Sequence, residues 1–312
     1  MKIIYLDQNK WILLSKGWHE GAGEVYDLVC ELKKKIENKE IMIVISLINL
    51  NETLKRIDER SRNRLLDFMF ELSQGNTIAP FRDWIIDDEI ENLFLERMGK
   101  RINIQSKIIR KGVSGIIGME ASIKGDFSEE AKTERLNKVN SLETFKTIFS
   151  TPESISMAKE YSAYMKEQTD RFEKVRIKER YKIDKKAQFE TVLKNFFREF
   201  IIKRGISFFL KYGFTIFRQD MTINDLQDLM KRLPATYTYF SLEDRRSRDF
   251  NRKIKANDLS DLMSFTMGIS YCDIIFGENM FVDLAKQSNL DKMYGVIITS
   301  SLEDFKMAVF DS

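Results

Sequence analysis

The stretch IMIVIS at residues 41–46 carries apolar side chains on both alternating faces. A strand of this kind is typical of the middle of a parallel sheet, where helices cover both faces. Further strands are predicted over residues 3–6, 77–80, 272–276 and 296–299, with helical patterns between them. One helix, capped by Asn49 or Asn51, is expected to follow residues 41–46 and to end near Gly75. The sequence therefore predicts an α/β fold with a parallel sheet.

The strand signals lie near the two ends of the chain, whereas its centre has helical periodicity. A length of 312 residues favours about two domains. We predict that residues 1–92 and 256–312 together build one α/β domain, and that residues 93–255 form an all-helical insertion. The aromatic side chains between residues 196 and 217 are expected to form the core of this insertion.

Charge is distributed unevenly along the chain, although the net charge is only +3. Residues 100–255 contain 34 Lys and Arg against 21 Asp and Glu, and the rest of the chain contains 17 against 27. A basic segment suggests a polyanionic partner, because contacts with phosphates release counterions. Acidic residues elsewhere suggest oxygen ligands for a metal ion.

Several classes of protein are excluded by the residues that the chain lacks. The single histidine, His19, cannot supply the histidine pair of a two-histidine ribonuclease or of an HExxH zinc site. Cys30 and Cys272 lie far apart and form no thiolate zinc motif. No apolar run is long enough to span a membrane, and the first residues do not resemble a signal peptide, so we expect a cytoplasmic protein without a membrane partner.

Four acidic residues follow predicted strands or open the next helices. They are Asp7, Glu52, Asp261 and Glu278, and Asp258 precedes Asp261 by about one helical turn. In an open parallel sheet these positions meet at the edge formed by the carboxyl ends of the strands. Carboxylates gathered there repel one another unless a cation is bound, and oxygen ligands suit Mg²⁺ or Mn²⁺. The sequence thus predicts hydrolysis of phosphodiesters by metal-activated water.

The order and spacing of these residues resemble the PIN-like nuclease family. The family pattern begins with a strand that ends in Asp-x-Asn, which matches Asp7 to Asn9. A second strand then ends in serine and is followed by a helix that carries an acid, which matches Ser46 and Glu52. The pattern closes with an acid on a helix and an acid after a strand, which match Asp261 and Glu278. The resemblance implies a PIN-like sheet flanked by helices. It also implies a metal-dependent nuclease, usually acting on RNA, and many members are bacterial toxins or antiphage defence effectors.

Two features depart from the family pattern. The family usually has Asp at its last acid, preceded two residues earlier by Thr or Ser, whereas this chain has Glu278 after Phe276 and Gly277. The insertion of about 160 residues is also longer than the usual helical stretch.

The resemblance assigns a role to each candidate residue. Asp7, Glu52, Asp261 and Glu278 are expected to hold Mg²⁺ or Mn²⁺ with help from Asp258, while Asn9 orients Asp7 and Ser46 supports the site. The residues that precede the Asp258 helix are expected to bind phosphates: Arg245, Arg246, Arg248, Arg252, Lys253 and Lys255.

Single-stranded RNA or an exposed RNA loop is the preferred substrate, because a flexible strand fits a recessed acidic site. An inhibitory or activating protein partner would suit a toxin. Two alternatives stay open. One is a catalytically inactive PIN-like module that binds RNA or a protein, which the glutamate at position 278 motivates. The other is a nuclease specific for branched or displaced DNA.

Overall fold

The computed structural model describes residues 1–118, 128–179, 185–218 and 220–311. Within these ranges one sheet contains six strands in the order β4-β3-β2-β1-β5-β6, and its neighbours are parallel except for the β3–β4 pair. The strands are β1 (Lys2–Leu6), β2 (Ile41–Ser46), β3 (Asn76–Ile78), β4 (Ile109–Lys111), β5 (Ile274–Phe276) and β6 (Ile297–Thr299). The predicted α/β architecture, with a mostly parallel sheet drawn from both chain ends, is confirmed.

Helices connect and cover the strands. The first half of the chain forms α1 (Gln8–Glu20), α2 (Glu24–Glu37), α3 (Leu47–Leu54), α4 (Glu59–Ser73), α5 (Asp83–Glu96), α6 (Ile104–Ile108), α7 (Gly112–Ile117), α8 (Glu129–Val139) and α9 (Leu142–Phe149). The second half forms α10 (Pro152–Glu179), α11 (Lys185–Phe196), a π-helical turn (Phe197–Ile202), α12 (Lys203–Tyr212), α13 (Ile223–Lys231), α14 (Pro234–Arg248), α15 (Asp258–Tyr271), α16 (Asn279–Gln287), α17 (Leu290–Tyr294) and α18 (Leu302–Phe310). None of the helices in the described ranges has the length and apolar character needed to cross a membrane.

Three apolar clusters hold these elements together. The first fills the sheet face beneath α1, α2, α4 and α18, and the second fills the opposite face beneath α14 to α17. The third lies among helices only, where Phe94 of α5 contacts the rings of Phe208, Tyr212, Phe214 and Phe217. The expectation that aromatic residues of the central region form a core is confirmed for this cluster, whereas Phe200 and Phe209 are exposed.

The structure corrects two predictions of secondary structure. Strand β4 interrupts the region predicted to be wholly helical, because three residues are too few to show a strand period. The long helix predicted after β2 is broken into α3 and α4, and Ser46 caps α3 in place of Asn49 or Asn51. The Ser46 hydroxyl accepts from the Asn49 amide at 3.2 Å, and the Asn49 side chain accepts from the Ser46 amide at 3.1 Å. Such reciprocal capping fixes the start of the helix.

The parallel strands bring their carboxyl ends to one edge of the sheet. Leu6 of β1 pairs with Phe276 of β5, and the Asp7 amide donates to the Phe276 carbonyl at 3.0 Å. A side-chain β-carbon at Gly277 would lie 2.3 Å from the ring of Phe265, so only glycine fits there. This close approach lets the chain turn directly from β5 into the residue at position 278.

Candidate carboxylate site at the sheet edge

Asp7 lies at the N-cap of α1 and is 6% exposed. Its carboxylate accepts from the Gln8 amide at 2.8 Å and from the backbone amide of Glu278. Burial raises the pKa of Asp7 to about 6, and the charge of Glu278 raises it as well, whereas the two amides and Lys10 act in the opposite direction. The carboxylate is therefore fixed in place at a position that disfavours its charge.

Asp261 and Glu52 face the same edge from two different helices. Burial raises the pKa of Asp261 well above its usual value, and the charges of Asp7, Glu52 and Glu278 add to the effect. Burial also raises the pKa of Glu52, with Asp7 and Glu278 as further causes and Lys55 as an opposing one. The structure thus brings these four acids within electrostatic reach of one another, and we call them the carboxylate cluster.

The chemistry of the carboxylate cluster suits Mg²⁺ or Mn²⁺, since its donors are oxygens and its members repel one another. Within the described ranges, four buried atoms have no hydrogen-bond partner: the hydroxyl of Tyr5, Oε1 of Gln8, Nδ2 of Asn49 and Oγ of Ser264. However, the described residues contain no group of three or more His, Cys, Asp or Glu side chains arranged to hold a metal ion. The four acids share one edge, and a shared ion would require their side chains to turn toward one another.

Lys10 is a functional candidate that the sequence analysis missed. Its ammonium donates to the Ser300 carbonyl at 2.8 Å and lies 4.3 Å from the centre of the Phe276 ring. Burial lowers the pKa of Lys10, while the charges of Asp7 and Glu278 raise it. Lys10 therefore offsets part of the negative charge. The sequence could have indicated Lys10 by its spacing of three residues from Asp7, because that spacing puts both residues on one helix face.

Tyr5 is a second residue that the sequence did not single out. It is fully buried in β1, and burial together with the charge of Asp7 raises its pKa. The phenol therefore stays protonated and keeps a hydrogen to donate beneath the carboxylate cluster. Tyr5 lies two residues before Asp7, and side chains two residues apart in an extended chain point to the same face.

Asp258, which the sequence analysis placed beside the metal ligands, is bound by neighbouring basic residues. Arg246 donates to its carboxylate from Nε at 3.0 Å, Arg252 lies 3.4 Å away, and the Lys255 amide donates at 3.1 Å. Asp258 and Arg246 are each 3% exposed. These donors place Asp258 in a buried ion pair, and its charge also adds to the raised pKa of Asp261.

The predicted phosphate-binding stretch is only partly available. Arg246 and Arg252 are bound to Asp258, and Arg248 pairs with Asp244 at 2.6 Å. Arg246 and Arg252 thus hold the start of α15, and Arg248 pairs within α14, so these three arginines have carboxylate partners inside the protein. The members that remain exposed are Arg245, Lys253 and Lys255.

The two supporting residues have different outcomes. Asn9 is exposed, and backbone amides hold the Asp7 carboxylate in the way that was expected of its side chain. Ser46 does end β2 and caps α3, the helix that carries Glu52. A further link joins α1 to α3, where Gln8 donates to the Thr53 hydroxyl at 2.8 Å. The contacts at the start of α1 and of α3 therefore fix the helices that carry or adjoin Asp7 and Glu52.

A basic groove of about 430 Å³ lies between α1 and α4 and includes His19. Its cations are Lys16, Arg56, Arg60 and Arg64, which have no ion-pair partner among the described residues, while Glu20 and Asp58 also line it. Arg56 follows the C-terminal end of α3, the helix that carries Glu52. The sequence did not reveal the groove because the cations come from separate segments.

Comparison of the chain with protein-family models, with curated proteins and with solved structures gives no match.

Proposed function

We propose that the protein is a metal-dependent ribonuclease of the PIN-like kind. The observation that carries the proposal is the carboxylate cluster, in which four acids from different elements lie at the carboxyl edge of a parallel sheet, and burial and neighbouring acids raise the pKa values of Asp7, Glu52 and Asp261. Uncompensated acids destabilise a fold, so such a group is typical of a functional site. The PIN-like resemblance of the sequence agrees with this interpretation.

Asp7, Glu52, Asp261 and Glu278 would hold Mg²⁺ or Mn²⁺ after their side chains turn toward a shared ion. The bound ion would supply an activated water and would stabilise negative charge on the phosphate oxygens. The Gln8 and Glu278 amides orient Asp7. Lys10 limits the repulsion among the acids and leaves a net negative charge for the cation. The hydroxyl of Tyr5 can donate a hydrogen bond from below.

The basic groove supports a polyanionic strand as substrate. Its four cations can bind successive phosphates, and one of them, Arg56, follows α3, which carries Glu52. The exposed residues Arg245, Lys253 and Lys255 offer further contacts near α15. A single strand or a loop of RNA is flexible enough to follow the groove and bend into the edge of the sheet.

The test is cleavage of labelled single-stranded RNA and DNA by purified protein with Mn²⁺, Mg²⁺ or a chelator, beside Asp7→Asn. Asparagine can still accept from both amides, so this variant should fold. The matched control is Asp283→Asn, which removes an exposed acid from α16. We expect metal-dependent loss of RNA that Asp283→Asn retains and Asp7→Asn lacks. Full cleavage by a folded Asp7→Asn protein would refute the proposal.

A non-catalytic RNA-binding module is the second candidate. It is favoured by the finding that no three acids of the described residues form a metal-holding group, and by the exposure of Glu278. Binding of RNA that ignores metal ions, together with no cleavage at any Mn²⁺ concentration, would support this candidate over the enzyme.

A further inference from the structure

A large cavity opens beside the carboxylate cluster, at the carboxyl end of β3. Its volume is about 1190 Å³, and Phe81 and Trp84, which follow β3, line it together with Met263 of α15. Strand β3 lies two positions from β1 in the sheet, which corresponds to roughly 10 Å. Neighbouring nucleotides of one strand could therefore occupy the cavity and the carboxylate cluster together.

Aromatic rings form two walls of this cavity. Phe81 stacks on Tyr239 with ring centres 4.9 Å apart, and Phe196 stacks on Phe200 at 4.7 Å. Phe200 is 41% exposed although it belongs to an otherwise apolar region. Flat aromatic walls of this kind are suited to stacking on a nucleobase, and such stacking contributes about 1–3 kcal/mol per base in proteins that bind single strands.

Two polar groups in the cavity have unused hydrogen-bonding capacity. Nε1 of Trp84 is buried, and no residue described by the structure accepts a hydrogen bond from it. The Glu243 carboxyl has no hydrogen-bond or ion-pair partner in the part of the chain that the structure describes, and burial raises its pKa to about 7. Arg82, Asp83, Asn195 and Glu199 also line the cavity, and a few polar groups among aromatic rings are what fixes a heterocycle by its edge.

We infer that this cavity is a subsite for a guanine base of the RNA strand, with the base stacked on the aromatic walls and its edge bound by Glu243. Guanine presents two neighbouring N–H donors at N1 and N2, and a carboxylate accepts both at once. The indole ring of Trp84 adds a further aromatic surface to the lining. As a statement about the substrate, the inference rests on the proposed ribonuclease function. Binding of the base at this subsite nevertheless requires no cleavage, so it can be measured separately from nuclease activity.

The test is calorimetric titration of the full chain with guanosine, inosine and adenosine 5′-monophosphates in the presence of a chelator. All three share the ribose and phosphate, and inosine lacks only the 2-amino group. We expect the guanosine nucleotide to bind at least tenfold more tightly than the other two. Equal affinities, or no binding of the guanosine nucleotide, would overturn the inference without needing any variant.

Glu243→Gln is the matching variant, with Glu303→Gln as a control that removes an exposed acid from α18. Glu243→Gln should lose the tenfold preference for guanosine, and Glu303→Gln should keep it. Retention of the preference by Glu243→Gln would overturn the assignment of the carboxyl group. Since the titrations contain no metal, a failure of the nuclease proposal would leave nucleotide binding intact, and the reverse also holds.

Discussion

Two aspartates on the first turn of α15 have opposite surroundings. Asp258 is bound by Arg246, whereas Asp261 faces three other acids. We call Glu173, Arg176, Arg246 and Asp258 the arginine-bound cluster, to set it against the carboxylate cluster. The contrast shows that burial alone does not identify a functional acid. A buried acid that an arginine neutralises stabilises the fold, and one that meets only further acids is held there at a cost in stability.

The arginine-bound cluster holds the connection between α14 and α15. Arg176 pairs with Glu173 at 2.8 Å and donates to the Asp249 carbonyl at 2.7 Å. Arg246 donates to the Lys253 carbonyl at 2.9 Å in addition to binding Asp258. Two buried guanidinium groups thus bind the backbone from both sides, and through it they fix the start of α15, where Asp261 lies.

The largest effect is expected from Asp261→Asn. If the carboxylate cluster holds a metal ion, loss of one ligand should lower RNA cleavage by about 10³-fold or more, similar to removal of a group that acts on the transition state. The melting temperature in chelator should stay equal to that of the wild type or rise, because a repelling charge is gone. A lower melting temperature with unchanged cleavage would place Asp261 with the structural acids.

A large loss of stability is expected from Arg246→Ala. It leaves Asp258 buried without its main partner, which costs about 3–4 kcal/mol in the free energy of unfolding. Arg245→Ala is the control, because Arg245 is exposed and the change should cost less than about 0.5 kcal/mol. Denaturant unfolding measures both. Similar stabilities for the two variants would show that the ion pair contributes little.

The acids could be predicted from the sequence because their order relative to the strands is enough to place them. A residue after a parallel strand lies at the carboxyl edge whatever the details of packing. The partner of Asp258 could not be predicted, because it depends on how α14 packs on α15. The same holds for the basic groove, which joins α1 and α4, and for β4, which is too short to show a period.

Glu243 extends the comparison, since it is an acid without a neutralising partner outside the carboxylate cluster. Asp244 adds to its raised pKa of about 7, and Tyr239, Arg82, Asp83 and Glu199 line the same cavity. The folded protein keeps the proton where the unfolded chain loses it, so this group favours folding at low pH. That contribution is lost as the pH rises from about 4.5 to 7 and amounts to at most about 3 kcal/mol.

The measurement is the free energy of unfolding against pH for the wild type and Glu243→Gln. Between pH 4.5 and 7, the free energy of unfolding of the wild type should fall relative to that of the variant. The difference between the two free energies should then stay constant at higher pH. If the two curves run parallel over that range, the carboxyl group ionises as in the unfolded chain and is not desolvated.

The smallest expected effect is on RNA binding, and it distinguishes the basic groove from the exposed basic residues before α15. Arg60→Ala/Arg64→Ala removes two cations of the groove, and binding of single-stranded RNA by Asp7→Asn protein should weaken with a salt dependence reduced by about 0.7 for each lost phosphate contact. Lys34→Ala/Lys292→Ala removes two exposed lysines from α2 and α17 and should leave that slope unchanged. If Lys253→Ala/Lys255→Ala lowers the slope while the groove variant does not, the strand approaches along α15 instead. RNA would then reach the carboxylate cluster beside the turn that the arginine-bound cluster holds rigid.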